Sequence, residues 1–216
     1  EEWTSFLKTM SRNYEFTYPE QIMIYAQRPG AIFCKPYDEW NKEPYWRYVR
    51  RGSTGIALFV ANGDKPNLRY VFDIADTGMS HSSPALKPWK VTHENRAYVS
   101  AVMERTFEVT GGQLESQLEE IARSLSTDYW EEYKEQLLGI VANSALEGYD
   151  EINIKAAFRK AAATSVAYTM YCRQTDAPDS YFEQENFRDV LDFNTRQATN
   201  ALGTAVSTIS AQMFQE

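Results

Sequence analysis

Histidine and cysteine, the side chains that most often carry catalysis or hold a metal, are almost missing from this chain: 216 residues contain two of each. Cys34 and Cys172 stand far apart with no Cys-x-x-Cys spacing, so neither a disulfide framework nor a zinc site is indicated, and a reducing cytoplasm is the simplest setting. His81 and His93 give too little material for a histidine-based triad or a two-histidine metal pair. The chain has no GxxxxGK[ST] phosphate loop, no GxGxxG after a strand, no HExxH pair and no GxSxG elbow. Neighbouring acids such as Glu119, Glu120, Glu131 and Glu132 read as solvated helix faces. Asp73 and Asp76, at the end of an expected strand, are the acids best placed for a metal, and a degenerate nuclease built on them is the weakest of three readings. No apolar run is long enough to span a bilayer. The start, Glu1-Glu2-Trp3, shows neither a signal peptide nor an initiating Met, and predicts a piece of a longer or processed chain. No catalytic residue, metal or cofactor is assigned, and the chain is expected not to be an enzyme.

What is present is an ordinary globular composition, 43% hydrophobic and 24% charged, in a chain long enough for one or two domains. The net charge of −8 argues against coating by nucleic acid, yet it is unevenly placed. Residues 1–80 carry ten Lys/Arg against ten Asp/Glu, leaving twelve against twenty for the remainder. From Arg28 to Arg69 the balance is eight basic to four acidic, so any footprint for a polyanion lies in the N-terminal third. That same stretch interleaves Tyr25, Trp40, Tyr45, Trp46, Tyr48 and Tyr70 with Arg28, Arg47, Arg50, Arg51 and Arg69. Aromatic faces stack on bases whatever their identity while arginines meet phosphates, a mixture suited to single-stranded nucleic acid. Aromatic residues equally fill cores and pleated strands, so packing is the competing explanation.

Periodicity predicts helices over 3–10 and 19–27, the latter opened by Pro19 and stopped by Arg28-Pro29-Gly30, with one or two helical turns over 36–42. Strands are expected at 46–50, 56–61 and 68–74; Asn62-Gly63-Asp64 is a tight hairpin signal, and Gly52-Ser53-Thr54-Gly55 a turn. Gly78 to Lys90 reads as a linker or long loop. Beyond it come helical stripes: a stretch capped by Thr92, then Leu114–Leu125, then Tyr133 through Ser144, then a long helix capped by Asp150. Ser180 with Glu183 has a capping-box pattern, and Thr195 can cap the last helix. The expected fold is α+β: a small antiparallel sheet with flanking helices in residues 1–80, a linker at 81–91, and a mostly helical bundle over 92–216 packed on the first region.

The run from Asn13 and Tyr14 through Tyr18, the segment Gln21 to Pro29, then Trp40, then Val49-Arg50-Arg51-Gly52 with Gly55-Ile56, resembles the N-terminal domain of ArdC-type antirestriction proteins. The resemblance implies binding of single-stranded DNA. Arg51 stands where a Lys is usual before the glycine, a change of donor geometry rather than of charge. Over nearly the whole length, including Leu68 to Asp73, Ser165 to Tyr168, Phe187-Arg188, Asp192 to Thr195 and Ala201-Leu202-Gly203, the chain is similar to the N-terminal region of very large proteins of conjugative transposons in Firmicutes. That similarity implies a bacterial mobile-element protein joined to Swi/Snf-type helicase and DNA-methylase modules, with no membrane partner. Helicase, methylase and zinc-protease-like motifs are absent from these residues.

The leading expectation is a non-catalytic module preferring single-stranded DNA. Arg47, Arg50, Arg51 and Arg69 would meet phosphates, and Gly52 and Gly55 would let backbone N–H groups approach. Trp40, Trp46 and Tyr48 would stack, and Gln21, Arg28 and Tyr25 would face the ligand from the Pro19 helix while Ile22 and Ile24 are core. The alternative is a docking domain for other parts of a long chain, or an antirestriction interaction with a host protein by charge mimicry.

Overall fold

The computed structural model describes residues 1–62, 65–79, 81, 83–86, 89–174 and 181–215, without the side chains of residues 61, 62, 65 and 66. The fold is α+β, as the pattern of periodicities predicts. The chain divides into two compact units, Glu2–Trp89 and Lys90 onward.

In the first unit, α1 (Glu2–Arg12) buries Phe6, Leu7 and Met10, the helical spacing that marked it in the sequence. α2 (Tyr18–Gln27) begins at Thr17, whose N–H and hydroxyl both donate to the Glu20 carboxylate at 3.0 Å. Between the helices Asn13 is buried and fully used. Its amide N donates to the carbonyls of Thr9 (3.0 Å) and Ala31 (3.4 Å), and its Oδ1 accepts from the Cys34 N–H (3.2 Å).

Three antiparallel strands, β1 (Cys34–Pro36), β3 (Ile56–Asn62) and β4 (Lys65–Asp73), form a sheet in the order β1-β4-β3. A separate two-stranded ribbon pairs β2 (Arg47–Val49) with β5 (Thr77–Met79), and α3 (Tyr37–Trp40) lies between β1 and β2 in the chain. The expected sheet of 46–50, 56–61 and 68–74 is therefore corrected: β2 leaves it, and β1 takes the place beside β4. Pro36 hid β1 from the sequence, since proline lacks a ladder donor, but β1 is an edge strand where this is tolerated. Gly78, expected in a linker, belongs to β5. The hairpin signal falls between β3 and β4, whose ladder closes at Asn62 opposite Lys65; Gly63 and Asp64 lie outside the described residues.

Ile56, Leu58 and Val71 on one sheet face join Ile24, Ala31 and Cys34 in the core. The strand over 56–61 buries one face only: Phe59 is 62% exposed on the other, beside Leu68 and Tyr70. Ile22, read as core, is also exposed. Burial pushes the Cys34 thiol well above its ordinary value, which makes it an inert core residue.

The second unit is helical: α4 (Arg96–Phe107), α5 (Leu114–Asp128), α6 (Trp130–Ile140), α7 (Glu151–Tyr171), a 3-10 helix over Gln184–Asp192, and α8 (Arg196–Gln215). α7 is the central element, packed by α5, α6, α8 and the 3-10 helix, and every residue from Ser165 to Tyr171 is buried. Two of its buried hydroxyls are satisfied within the helix, Ser165 donating to Ala161 O and Thr169 to Ser165 O, each at 2.7 Å. Asp150 caps α7 by accepting from the Asn153 N–H at 2.8 Å, and Thr195 caps α8 by accepting from the Ala198 N–H at 3.1 Å, both as expected. Two boundaries differ. α4 starts at Asn95 rather than Thr92, with the Asn95 side chain accepting from the Thr92 N–H, and α6 stops before Val141 and Ser144. Ser180 lies outside the described residues; Glu183 instead opens the 3-10 helix, its N–H donating to Asn186 at 2.7 Å. Among the described residues no helix is long and apolar enough to cross a membrane.

Candidate nucleic-acid interface

The first strand of the ribbon leaves its aromatic residue exposed, as expected of a stacking platform, but buries Arg47, which was expected to meet phosphate. In β2, Arg47 is buried and its Nε donates to Thr77 Oγ1 at 2.6 Å, while Tyr48 is 52% exposed. Trp46, just before the strand, is 51% exposed and has φ +48, a left-handed conformation uncommon outside glycine. It is held by its own N–H donating to Lys42 O at 3.0 Å and by the Ser83 hydroxyl donating to its carbonyl. Tyr48 pairs across the ribbon with Gly78, and its ring lies over that glycine so closely that a Cβ there would overlap the phenol. Gly78 is thus the space that lets Tyr48 lie flat on the ribbon.

Basic residues follow at the exit of β2. The Arg50 N–H donates to Asp76 O at 2.9 Å, and among the described residues its guanidinium hydrogen-bonds only to the Ala75 carbonyl, at 3.2 Å. Arg51 is exposed and makes no side-chain hydrogen bond or ion pair with the described residues. Gly52 has φ +88, which a side chain would resist, and the Ser53 N–H closes the turn on Arg50 O at 3.2 Å. Two aromatic faces and two weakly engaged guanidinium groups therefore occupy Trp46 to Arg51, with exposed backbone at Gly52.

The other sequence candidates are placed differently. Trp40 is 0% exposed, donates its indole N–H to Phe72 O at 3.1 Å and packs with Phe33 and Tyr45, so it is core rather than platform. Gln21 is buried, its amide donating to Phe16 O (2.8 Å) and Asn13 O (3.3 Å), because the chain between α1 and α2 needs those carbonyls satisfied. Tyr25 is half-buried, edge-on to Phe6, with its hydroxyl 3.5 Å from Glu2 O. Arg28 pairs with Asp76 and donates to Thr54 O at 3.2 Å; its hydrogen bond to Asp76 raises its pKa further. Arg69 lies on the core-side face of β4, paired with Glu20 at 2.6 Å and stacked over Phe16 at 5.7 Å. Gly55 is packed rather than open, since a Cβ there would meet Phe72 and Tyr70 at 3.0 and 3.1 Å. Arg28, Arg47 and Arg69 thus fasten the fold, and Gly55 makes room for it.

The acids proposed for a metal are likewise committed. Asp73 Oδ1 accepts the N–H groups of Ile32 (2.9 Å) and Phe33 (2.8 Å), and Asp76 accepts from Arg28 and from the Asp73 N–H (3.1 Å). Among the described residues no group of three His, Cys, Asp or Glu side chains could hold a metal ion. Sequence reasoning missed the exposed apolar sheet face of Phe59, Leu68 and Tyr70; the clue was the spacing of Leu68 and Tyr70 on one face of β4. Comparison of the chain with protein families, curated proteins and solved structures finds no match.

Proposed function

We propose that this chain is a non-catalytic module that binds single-stranded DNA, and that the segment Trp46 to Gly52 is its contact surface. The observation that supports this reading is the exposure of Trp46 and Tyr48 beside Arg50 and Arg51, in a protein whose other tryptophan of this segment is buried. An exposed aromatic pair offers stacking faces that every base can use, and arginines with no acidic partner among the described residues can answer phosphates. The resemblance to antirestriction and conjugative-transposon proteins points the same way and makes a bacterial mobile-element protein with helicase and methylase modules the natural setting. The sequence-tolerant contact would hold a transferred strand for an attached enzyme.

Fluorescence anisotropy of labelled single-stranded and double-stranded oligonucleotides tests this. The single strand binds more tightly, and Trp46→Ala or Tyr48→Ala each weakens it by about 1–3 kcal/mol. Equal binding of both forms, or no loss in either variant, overturns the reading.

The sheet face of Phe59, Leu68 and Tyr70 favours a second reading, a docking surface for another protein segment, because such residues exposed together mark contact sites more often than solvent-facing sheet.

A further inference from the structure

The second unit carries a cavity of about 510 Å³ between α5 and α7, beneath the start of the 3-10 helix, and its lining runs against the charge of its surroundings. Residues 81–216 hold twelve basic against twenty acidic side chains, yet Arg123, Arg159 and Lys160 converge here. Among the described residues none of the three makes an ion pair with a carboxylate, and the Arg159 Nε–H is buried without an acceptor. Three like charges gathered without ion-pair partners repel one another, and an anionic ligand seated among them relieves that repulsion.

The remaining lining identifies that ligand's other half. Phe182 and Tyr181 form an aromatic wall, and Phe182 is fixed edge-on by Tyr168 (5.4 Å) and Tyr171 (5.1 Å), so little freedom is lost when a ring settles on it. Ala163 and Ala167 of α7 add small side chains to the lining, and Glu119 and Asp189 supply acceptors for sugar hydroxyls or base N–H groups. Three cations against two carboxylates leave one net positive charge, which matches one phosphomonoester better than a triphosphate. The volume falls in the usual range of small-ligand sites, about 300–1,000 Å³.

We infer that this cavity binds a nucleoside monophosphate, the phosphate held by Arg123, Arg159 and Lys160 and the base against Phe182 and Tyr181. The site lies wholly within the second unit and stands independently of the strand-binding reading. The same chemistry is offered by a free nucleotide and by the 5′-phosphorylated end of a DNA strand.

The test is equilibrium dialysis of labelled deoxyadenosine monophosphate against the whole chain, with deoxyadenosine and inorganic phosphate as comparators. Arg123 and Lys160 are both exposed, so Arg123→Ala/Lys160→Ala keeps the fold, and circular dichroism checks this. Saturable binding is expected, weakened about tenfold or more in the double variant and in both comparators. Competition by a 5′-phosphorylated oligothymidylate but not by its 5′-hydroxyl form identifies a strand end as an accepted source; failure of both to compete identifies the free nucleotide. No saturable binding, binding unchanged in the double variant, or inorganic phosphate binding as tightly as the nucleotide overturns the inference.

Discussion

The indoles of Trp40 and Trp46 stand close in sequence and in opposite environments, one wholly enclosed against Phe33 and Tyr45, the other half in solvent. Their substitution separates packing from binding. Trp40→Ala opens a large cavity and strands the Phe72 carbonyl, so urea denaturation should show a loss of about 3–5 kcal/mol. Trp46→Ala removes a side chain that fills no core, and stability should stay within about 0.5 kcal/mol while single-strand affinity falls. A stability loss at Trp46 as large as at Trp40 would remove the ground for treating it as a contact residue. Both tryptophans were legible as aromatics in a basic segment, but composition does not say which ring faces inward. That choice is made by the positive φ at Trp46 and by β2 presenting Arg47 to Thr77, neither of which has a periodic signature.

At the level of elements, side chains rather than backbone ladders join α2 to the sheet. Gln27 brackets the free edge of β3: its Nε2 donates to Ala57 O at 2.8 Å, and its Oε1 accepts from the Ala57 N–H at 2.9 Å. Sheet edges with free donors and acceptors pair with other chains, so this amide occupies groups that would otherwise recruit a strand. Gln27→Ala should cost about 1 kcal/mol and raise self-association in sedimentation velocity; a variant that stays as monodisperse as the parent refutes the edge-blocking role. Glu20 makes the second link. Partial burial by itself would raise its pKa, but the hydrogen bonds from Arg69 and Thr17 outweigh it and hold the carboxyl below its ordinary 4.5. A carboxyl with a depressed folded pKa contributes stability that is complete above the unfolded value and is lost as pH falls through the folded one. The destabilisation caused by Glu20→Gln should therefore be present in urea titrations at pH 7 and vanish in acid, below the folded pKa; a pH-independent difference would assign its effect to shape instead of charge. The helices and their caps at Asp150 and Thr195 were legible because each is a local pattern. β1 and β5 were not, since three-residue strands containing Pro36 and Gly78 are formed by their partners rather than by their own propensity.

Across the whole molecule, charge decides how a polyanion is received. Residues 1–80 are balanced, so the entire net charge of −8 lies in residues 81–216 and repels a nucleic acid over any distance that salt leaves unscreened. Above about 0.1 M salt the Debye length is roughly 10 Å or less, and this shared repulsion becomes small compared with direct phosphate contacts. The informative quantity is then the difference in salt dependence between the chain and Arg50→Ala/Arg51→Ala, because whatever repulsion remains is common to both. Each phosphate contact on a single strand contributes about 0.7 to the slope of log affinity against log salt, so losing two should flatten it by about 1.4. Anisotropy titrations from 0.1 to 0.4 M salt measure this directly. Arg28→Ala and Arg69→Ala make the contrast, because their guanidinium groups already answer Asp76 and Glu20 and their slopes should match the parent. Parallel lines for the Arg50/Arg51 variant would mean that neither arginine touches a phosphate, and a flatter line for Arg69→Ala would mean that its ion pair opens when DNA binds.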